Sequence, residues 1–173
     1  MKKQYSKYKV MNTFLPFAFL FLIVTGFSQT PRKAETAKLN GAELYYEVYG
    51  EGAPLFFLHG FFLYSKHWKP FVEDFSDDFE VYLVDLTGHG RSSNFKDEIS
   101  ISEAAADLYN LISYLGSEIV KVIGFSYGGD VAFHLAANHP RTVESMVAIG
   151  GLGTWDVENY PDWIEYFSYD NIE

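Results

Sequence analysis

Ser126 is the residue with the most evident capacity for chemistry, because of what stands on either side of it. Residues 124–129 read Gly-Phe-Ser-Tyr-Gly-Gly, a Gly-x-Ser-x-Gly pattern, and the β-branched run Val120–Ile123 leads straight into it. A helical pattern follows at once. A serine on so tight a strand-to-helix turn takes a strained backbone conformation and projects its hydroxyl beyond the sheet, as a nucleophile must. Gly124 and Gly128, lacking Cβ, let neighbouring backbone close around the turn, and Gly129 lets the helix lie against its sheet. The competing reading is a glycine-rich loop with an incidental serine. Two more segments carry candidate groups: His59-Gly60 ends the apolar run Pro54–Leu58, and Asp85 ends the apolar run Phe79–Val84.

The elements that must position these residues are legible from periodicity. Glu43–Tyr49 alternates as a strand, and Gly50-Glu51-Gly52 turns the chain into the unbroken apolar run 54–58, which suits a strand buried on both faces. Trp68, Phe71, Val72 and Phe75 are spaced for a helix over 65–75. Ser100 and Glu103 form a capping box, and Ile101, Ala104, Ala105, Leu108, Leu111, Ile112 and Leu115 then share one helical face that Gly116 ends. Strand 119–123, a helix stopped by Pro140, and strand Val143–Ile149 follow. Residues 30–38, polar and carrying Pro31, read as an exposed leader. The alternation of strand and helix predicts an α/β fold, a mostly parallel sheet with helices on both faces. In such folds ligands sit at the carboxyl ends of the strands, where His59, Asp85 and Ser126 all stand.

Length and composition bound the rest. A chain of 173 residues, 48% hydrophobic, is one domain by size. It has no cysteine, which excludes a disulfide framework or thiol nucleophile, and its five histidines show no paired zinc spacing; neither a metal nor a cofactor is expected. Lys2, Lys3, Lys7 and Lys9 precede the apolar stretch Phe14–Phe27, and Gly26-Phe27-Ser28 offers a cleavage site before Gln29. Residues 1–28 therefore read as a signal peptide of an exported protein, with an uncleaved membrane anchor as the alternative. That segment holds four of the 13 basic residues and none of the 23 acidic ones, leaving 9 − 23 = −14 on the remainder. So acidic a product repels nucleic acid and anionic lipid.

Three segments together resemble the α/β-hydrolase superfamily: Leu58-His59-Gly60-Phe61-Phe62, Asp85-Leu86-Thr87-Gly88-His89-Gly90-Arg91-Ser92, and Gly124–Gly129. Their order and their places after strands match that family's N-terminal half, over residues 38–150. The resemblance implies a Ser–acid–His triad with Ser126 as nucleophile, and an oxyanion hole made by the main-chain N–H groups of Phe61 and Tyr127. Losing one such donor typically costs about 3 kcal/mol of transition-state stabilisation. Serine rather than aspartate at the elbow points away from the family's haloalkane dehalogenases and epoxide hydrolases and toward an ester or related small-molecule acyl substrate. Phe61-Phe62 departs from the loop of the family's proline iminopeptidases.

By the same resemblance His59 orients the oxyanion loop and Asp85 braces one. His89 shapes the turn after its strand, since triad order places the histidine last. His134, His139, Ser65, Ser92 and Ser93 read as structural. Asp130 complements a helix N-terminus. Trp68 and Phe61-Phe62 stand between acyl-pocket lining and plain core.

Residues 151–173, aromatic and acidic, resemble the start of the family's cap. No histidine follows His139 and no strand follows to bring the usual acid, although Asp156 occupies a position that a minority of the family uses. The expectation is therefore a core truncated after about strand six, part of a longer serine hydrolase, with the triad histidine absent and the acid unknown. A noncatalytic binding or degenerate protein is the alternative.

Overall fold

The computed structural model describes residues 29–39, 41–95, 98 and 100–151. The signal-peptide reading of 1–28 and the cap reading of 152–173, with Asp156, lie outside them. Among the described residues, six strands form one sheet: β1 (Lys33–Lys38), β2 (Glu43–Tyr49), β3 (Ala53–Leu58), β4 (Phe79–Val84), β5 (Val120–Phe125) and β6 (Val143–Ile149). Their order is β1-β2-β4-β3-β5-β6. The β1–β2 and β2–β4 pairs are antiparallel, while β4, β3, β5 and β6 run parallel.

Period-two alternation divides the side chains between two cores. Tyr46, Val48, Phe56, Leu58, Tyr82, Val84, Val120 and Val122 face helices α1 (Ile101–Tyr114) and α2 (Tyr127–Asn138). Tyr49, Leu55, Phe57, Val81 and Leu83 face a segment at Ser65–Asp74, against Val72, Trp68 and Phe75. Helices thus cover both faces, as the sequence predicts. Segment 65–74 is a 3₁₀-helix rather than an α-helix, with Pro70 inside it. Proline has no amide to donate to the i−4 carbonyl, so an α-helical ladder is interrupted there. At α1 the Ser100 Oγ accepts from the Glu103 amide at 3.2 Å, and Gly116 leaves the helix at φ 77°.

The leader expected at 30–38 is corrected: residues 33–38 are strand β1. Its polarity reflects an edge position, where only Ala37 is buried and the other five side chains face solvent.

From β3 the chain crosses to β4 on one side and then, through α1, to β5 on the other. The strand order therefore reverses between β3 and β5, the place where such sheets open a crevice at their carboxyl ends. On the far side of β4, two buried carboxylates brace the loops. Glu47 on β2 accepts from the hydroxyls of Tyr45 and Tyr49 and pairs with Lys69 at 3.0 Å and Arg91 at 3.2 Å. Burial pushes its pKa up, but these donors outweigh burial and hold it below the usual carboxylate range. Asp85 accepts from the Ser65 and Arg91 amides at 2.7 and 2.9 Å. The Arg91 guanidinium also lies over the Tyr45 ring, 3.3 Å from its centroid.

Glu47→Gln keeps the shape but takes from Lys69 its anion and leaves Arg91 to Asp85, 3.4 Å from its Nε. Because both cations are partly exposed, we expect a loss of about 2 kcal/mol in urea unfolding at neutral pH, rather than the larger cost of a fully buried orphan charge.

Candidate active site

Ser126 stands between β5 and α2 with φ 49° and ψ −118°, a conformation foreign to non-glycine residues. Its neighbours explain why it stays there. Its amide donates to Ile149 O at 2.7 Å, tying the turn to the end of β6, and its carbonyl accepts from the Gly129 and Asp130 amides at 2.7 and 3.2 Å. A Cβ on Gly128 would strike the carbonyl oxygens of Leu58 and His59, so only glycine lets α2 approach the end of β3 so closely. Ser126 occupies the N-cap position, yet its side chain makes no capping hydrogen bond. The hydroxyl is therefore not spent on the helix it begins.

The second loop follows β3. His59 is buried; its Nε2 accepts from the Leu86 amide at 3.0 Å, so Nδ1 carries the proton and donates to Gly60 O at 2.9 Å. Burial depresses this imidazole to about 4, leaving it neutral. Gly60 O also accepts from the Leu63 amide at 3.1 Å.

One constraint orients both candidate oxyanion donors. A peptide group is planar, and in its trans form the N–H points away from the C=O; no cis bond occurs among the described residues. Gly60 C=O and Phe61 N–H share one peptide, as do Ser126 C=O and Tyr127 N–H. Each carbonyl is held by two donors, so each amide is fixed in the opposite direction. Among the backbone bonds of the described turns and loops, none uses the Phe61 or Tyr127 amide. The two loops meet, with the Phe61 and Tyr127 ring centroids 5.4 Å apart.

The histidines fall elsewhere. His89 donates from Nδ1 to Thr87 O and packs edge-on against Phe61 at 5.2 Å; burial lowers its pKa. His67 bonds Tyr64 O, His134 meets Ser102 Oγ, and His139 stacks on Tyr109. None of the five has a hydrogen bond to Ser126 among the described residues. Ser92 Oγ donates to Asp85 O and Ser93 Oγ accepts from the Glu43 amide, both bracing turns. Asp130 is buried in the first turn of α2. Among the described residues no group of three or more His, Asp or Glu could hold a metal ion, and no helix is long and apolar enough to cross a membrane.

Two hollows flank the His59–Leu63 loop. The larger, 650 Å³, is an apolar stretch of sheet between Trp68, Phe71, Phe125, Val147 and Ile149. It adjoins the edge strand β6, a few residues before the last described one. The smaller, 320 Å³, lies between Phe61, Phe62, Tyr64, His89 and Phe95. Trp68 thus lines the sheet hollow and packs in the core, whereas Phe61 and Phe62 belong to the smaller cavity.

The chain belongs to the α/β-hydrolase fold family, whose profile matches residues 53–172. It is similar to a soluble epoxide hydrolase of Corynebacterium sp. strain C12, 34% identical over 110 residues, covering 64% of this chain and 38% of the relative. A pimeloyl-[acyl-carrier protein] methyl ester esterase of Vibrio campbellii is 32% identical over 106 residues, covering 61% of this chain and 40% of the relative. Among solved structures, naproxen esterase of Bacillus subtilis superposes with a TM-score of 0.62 at 26% identity, covering 66% of this chain and 41% of that one. The chain thus spans 38–40% of the length of the two curated relatives named.

Sequence reasoning did not single out Glu47. The signal was there: one carboxylate inside the aromatic strand Leu44–Tyr49, at an inward-facing position.

His59 makes stability depend on pH. Its folded pKa of about 4 lies below the ordinary 6.5, so the unfolded chain binds the proton more readily. Stability present at neutral pH is therefore lost as pH falls below 6.5, by about 2 kcal/mol between pH 7 and pH 5. Urea midpoints at the two pH values should show this, and His59→Gln should remove most of it; the Glu47 contribution falls away only at lower pH, below the usual carboxylate range.

Proposed function

We propose that the protein is an exported serine hydrolase that cleaves an ester or related acyl bond through an acyl-Ser126 intermediate. The observation that carries the proposal is the strained, uncapped Ser126 beside two amides whose directions are set by doubly bonded carbonyls. In the reaction Ser126 Oγ bonds to the carbonyl carbon while its proton passes to an imidazole base. The oxygen gains a negative charge facing the Phe61 and Tyr127 amides. Collapse breaks the bond to the leaving group, which takes up the proton, and water repeats the sequence to free the acid and Ser126.

The relatives' names divide between epoxide and ester cleavage, so they leave the bond open. Serine at the elbow favours the acyl side, because an alkoxide attacks a carbonyl readily and its acyl ester is released by water. With all five histidines engaged elsewhere, the reading assigns the base to none of them and leaves the acid unknown. The basic, then apolar residues 2–27 support export, and the mature chain is expected by mass to begin near Gln29.

A fluorophosphonate probe tests the mechanism on the full-length protein. Wild type should be labelled at Ser126 and Ser126→Ala should not. An unlabelled wild type, or a label unaffected by the substitution, would reject it.

A further inference from the structure

The chain leaves β6 through two glycines that serve different ends. Gly150 has φ 72°, a conformation that favours glycine, and no described atom lies within 4 Å of where its Cβ would stand. Gly151 is not at positive φ, so its backbone would accept other residues; what it lacks is room. A Cβ on Gly151 would stand 3.1 Å from Gly129 C and Cα and 3.2 Å from the Asp130 amide nitrogen, all main-chain atoms in the first turn of α2. Seen from the helix, a Cβ on Gly129 would stand 3.2 Å from Gly151 Cα. The loop after β6 and the start of α2 thus meet backbone to backbone.

The atoms in that contact are those that aim a candidate oxyanion donor. The Gly129 and Asp130 amides hold Ser126 O at 2.7 and 3.2 Å, and the plane of that peptide fixes the Tyr127 N–H. The Asp130 bond is the longer of the two, and its donor nitrogen lies in the contact. A displacement of a few tenths of an ångström would carry it beyond the usual range of about 2.7–3.2 Å. Neither partner can give way without disturbing Ser126. The helix turn is held from another direction at Gly128, where even a Cβ would strike the Leu58 and His59 carbonyls. The loop is rooted in Ile149, whose carbonyl accepts from the Ser126 amide at 2.7 Å.

We propose that Gly151 is a positioning residue for the reaction. Its bare Cα lets the loop after β6 close on the first turn of α2 with both amides still on Ser126 O, so the Tyr127 N–H stays aimed at the developing oxyanion. The proposal rests on the reading of Ser126 as nucleophile and of the Tyr127 amide as its oxyanion donor.

The test compares the full-length protein with Gly151→Ala and with Gly150→Asn, a neighbouring change that tolerates positive φ. On p-nitrophenyl butyrate, kcat should fall about tenfold in Gly151→Ala with KM within about twofold, less than the roughly 10²–10³ lost when a donor is removed outright. The inhibition constant of a trifluoromethyl ketone, whose adduct with the serine carries its oxyanion at the same place, should rise by the same factor. Gly150→Asn should match wild type in both. A kcat within about twofold of wild type, a loss confined to KM, or an equal loss in Gly150→Asn would overturn the proposal. So would a Gly151→Ala protein that does not fold, because the contact would then serve the fold rather than the site. Amide hydrogen exchange separates the proposal from the mechanism. If wild type cleaves no ester, the serine reading fails and exchange alone decides. An Asp130 amide exchanging about tenfold faster in Gly151→Ala, with the α1 amides unchanged, supports the positioning role, and unchanged exchange at Asp130 rejects it.

Discussion

The geometry of this site depends on the planarity of two peptide groups. Main-chain donors cannot be aimed by choosing a rotamer; they are aimed only by holding the carbonyl at the other end of the same plane. The protein does this twice by different means. At Ser126 the first turn of α2 supplies the Gly129 and Asp130 amides, so helix formation itself turns the Tyr127 N–H outward. At Gly60 no helix is available, and a side chain substitutes: His59 Nδ1 joins the Leu63 amide on the Gly60 oxygen. The arrangement needs a neutral imidazole with its proton on Nδ1, and burial together with the Leu86 amide on Nε2 imposes that tautomer.

Bringing the two planes together is a matter of close approach. Leu58 pairs with Gly124 across the parallel β3–β5 ladder, which sets the two strand ends level. Gly128 then lets α2 settle onto the Leu58 and His59 carbonyls. On the opposite flank the same loop is held electrostatically. Asp85 grips the start of the 3₁₀-helix through the Ser65 amide and the next loop through the Arg91 amide, while Glu47 ties Lys69 to Arg91. Buried charges of this kind add little net stability over apolar packing. Their value here is positional, since they link β2, the 3₁₀-helix and the loop after β4, whose chain directions all differ.

Much of the architecture was legible because it rests on local pattern. The bounds of β2, β4 and β6 follow from alternation or unbroken apolar runs, and the start of α1 from its serine cap. What escaped was set by tertiary position. Strand β1 is polar because it is an edge, so its composition resembles a loop; only its pairing with β2, from Lys33 opposite Val48 to Lys38 opposite Glu43, makes it a strand. Segment 65–74 has helical spacing, but Pro70 interrupts the ladder that spacing implies. At the site, Ser126 and His59 were readable from motif and context. Glu47 stood out only as a lone carboxylate in an aromatic strand, because its ion-pair partners Lys69 and Arg91 lie 22 and 44 positions further along the chain, a separation that periodicity does not reveal.

Ser126 and Phe62 both hold positive φ, and the two strains differ in kind. At Ser126 the proposed mechanism needs both the residue type and the conformation, since a relaxed turn would lower the hydroxyl into the sheet and a glycine would remove it. At Phe62 the conformation is needed but the residue type is not, because the bond from Leu63 to Gly60 asks only for positive φ.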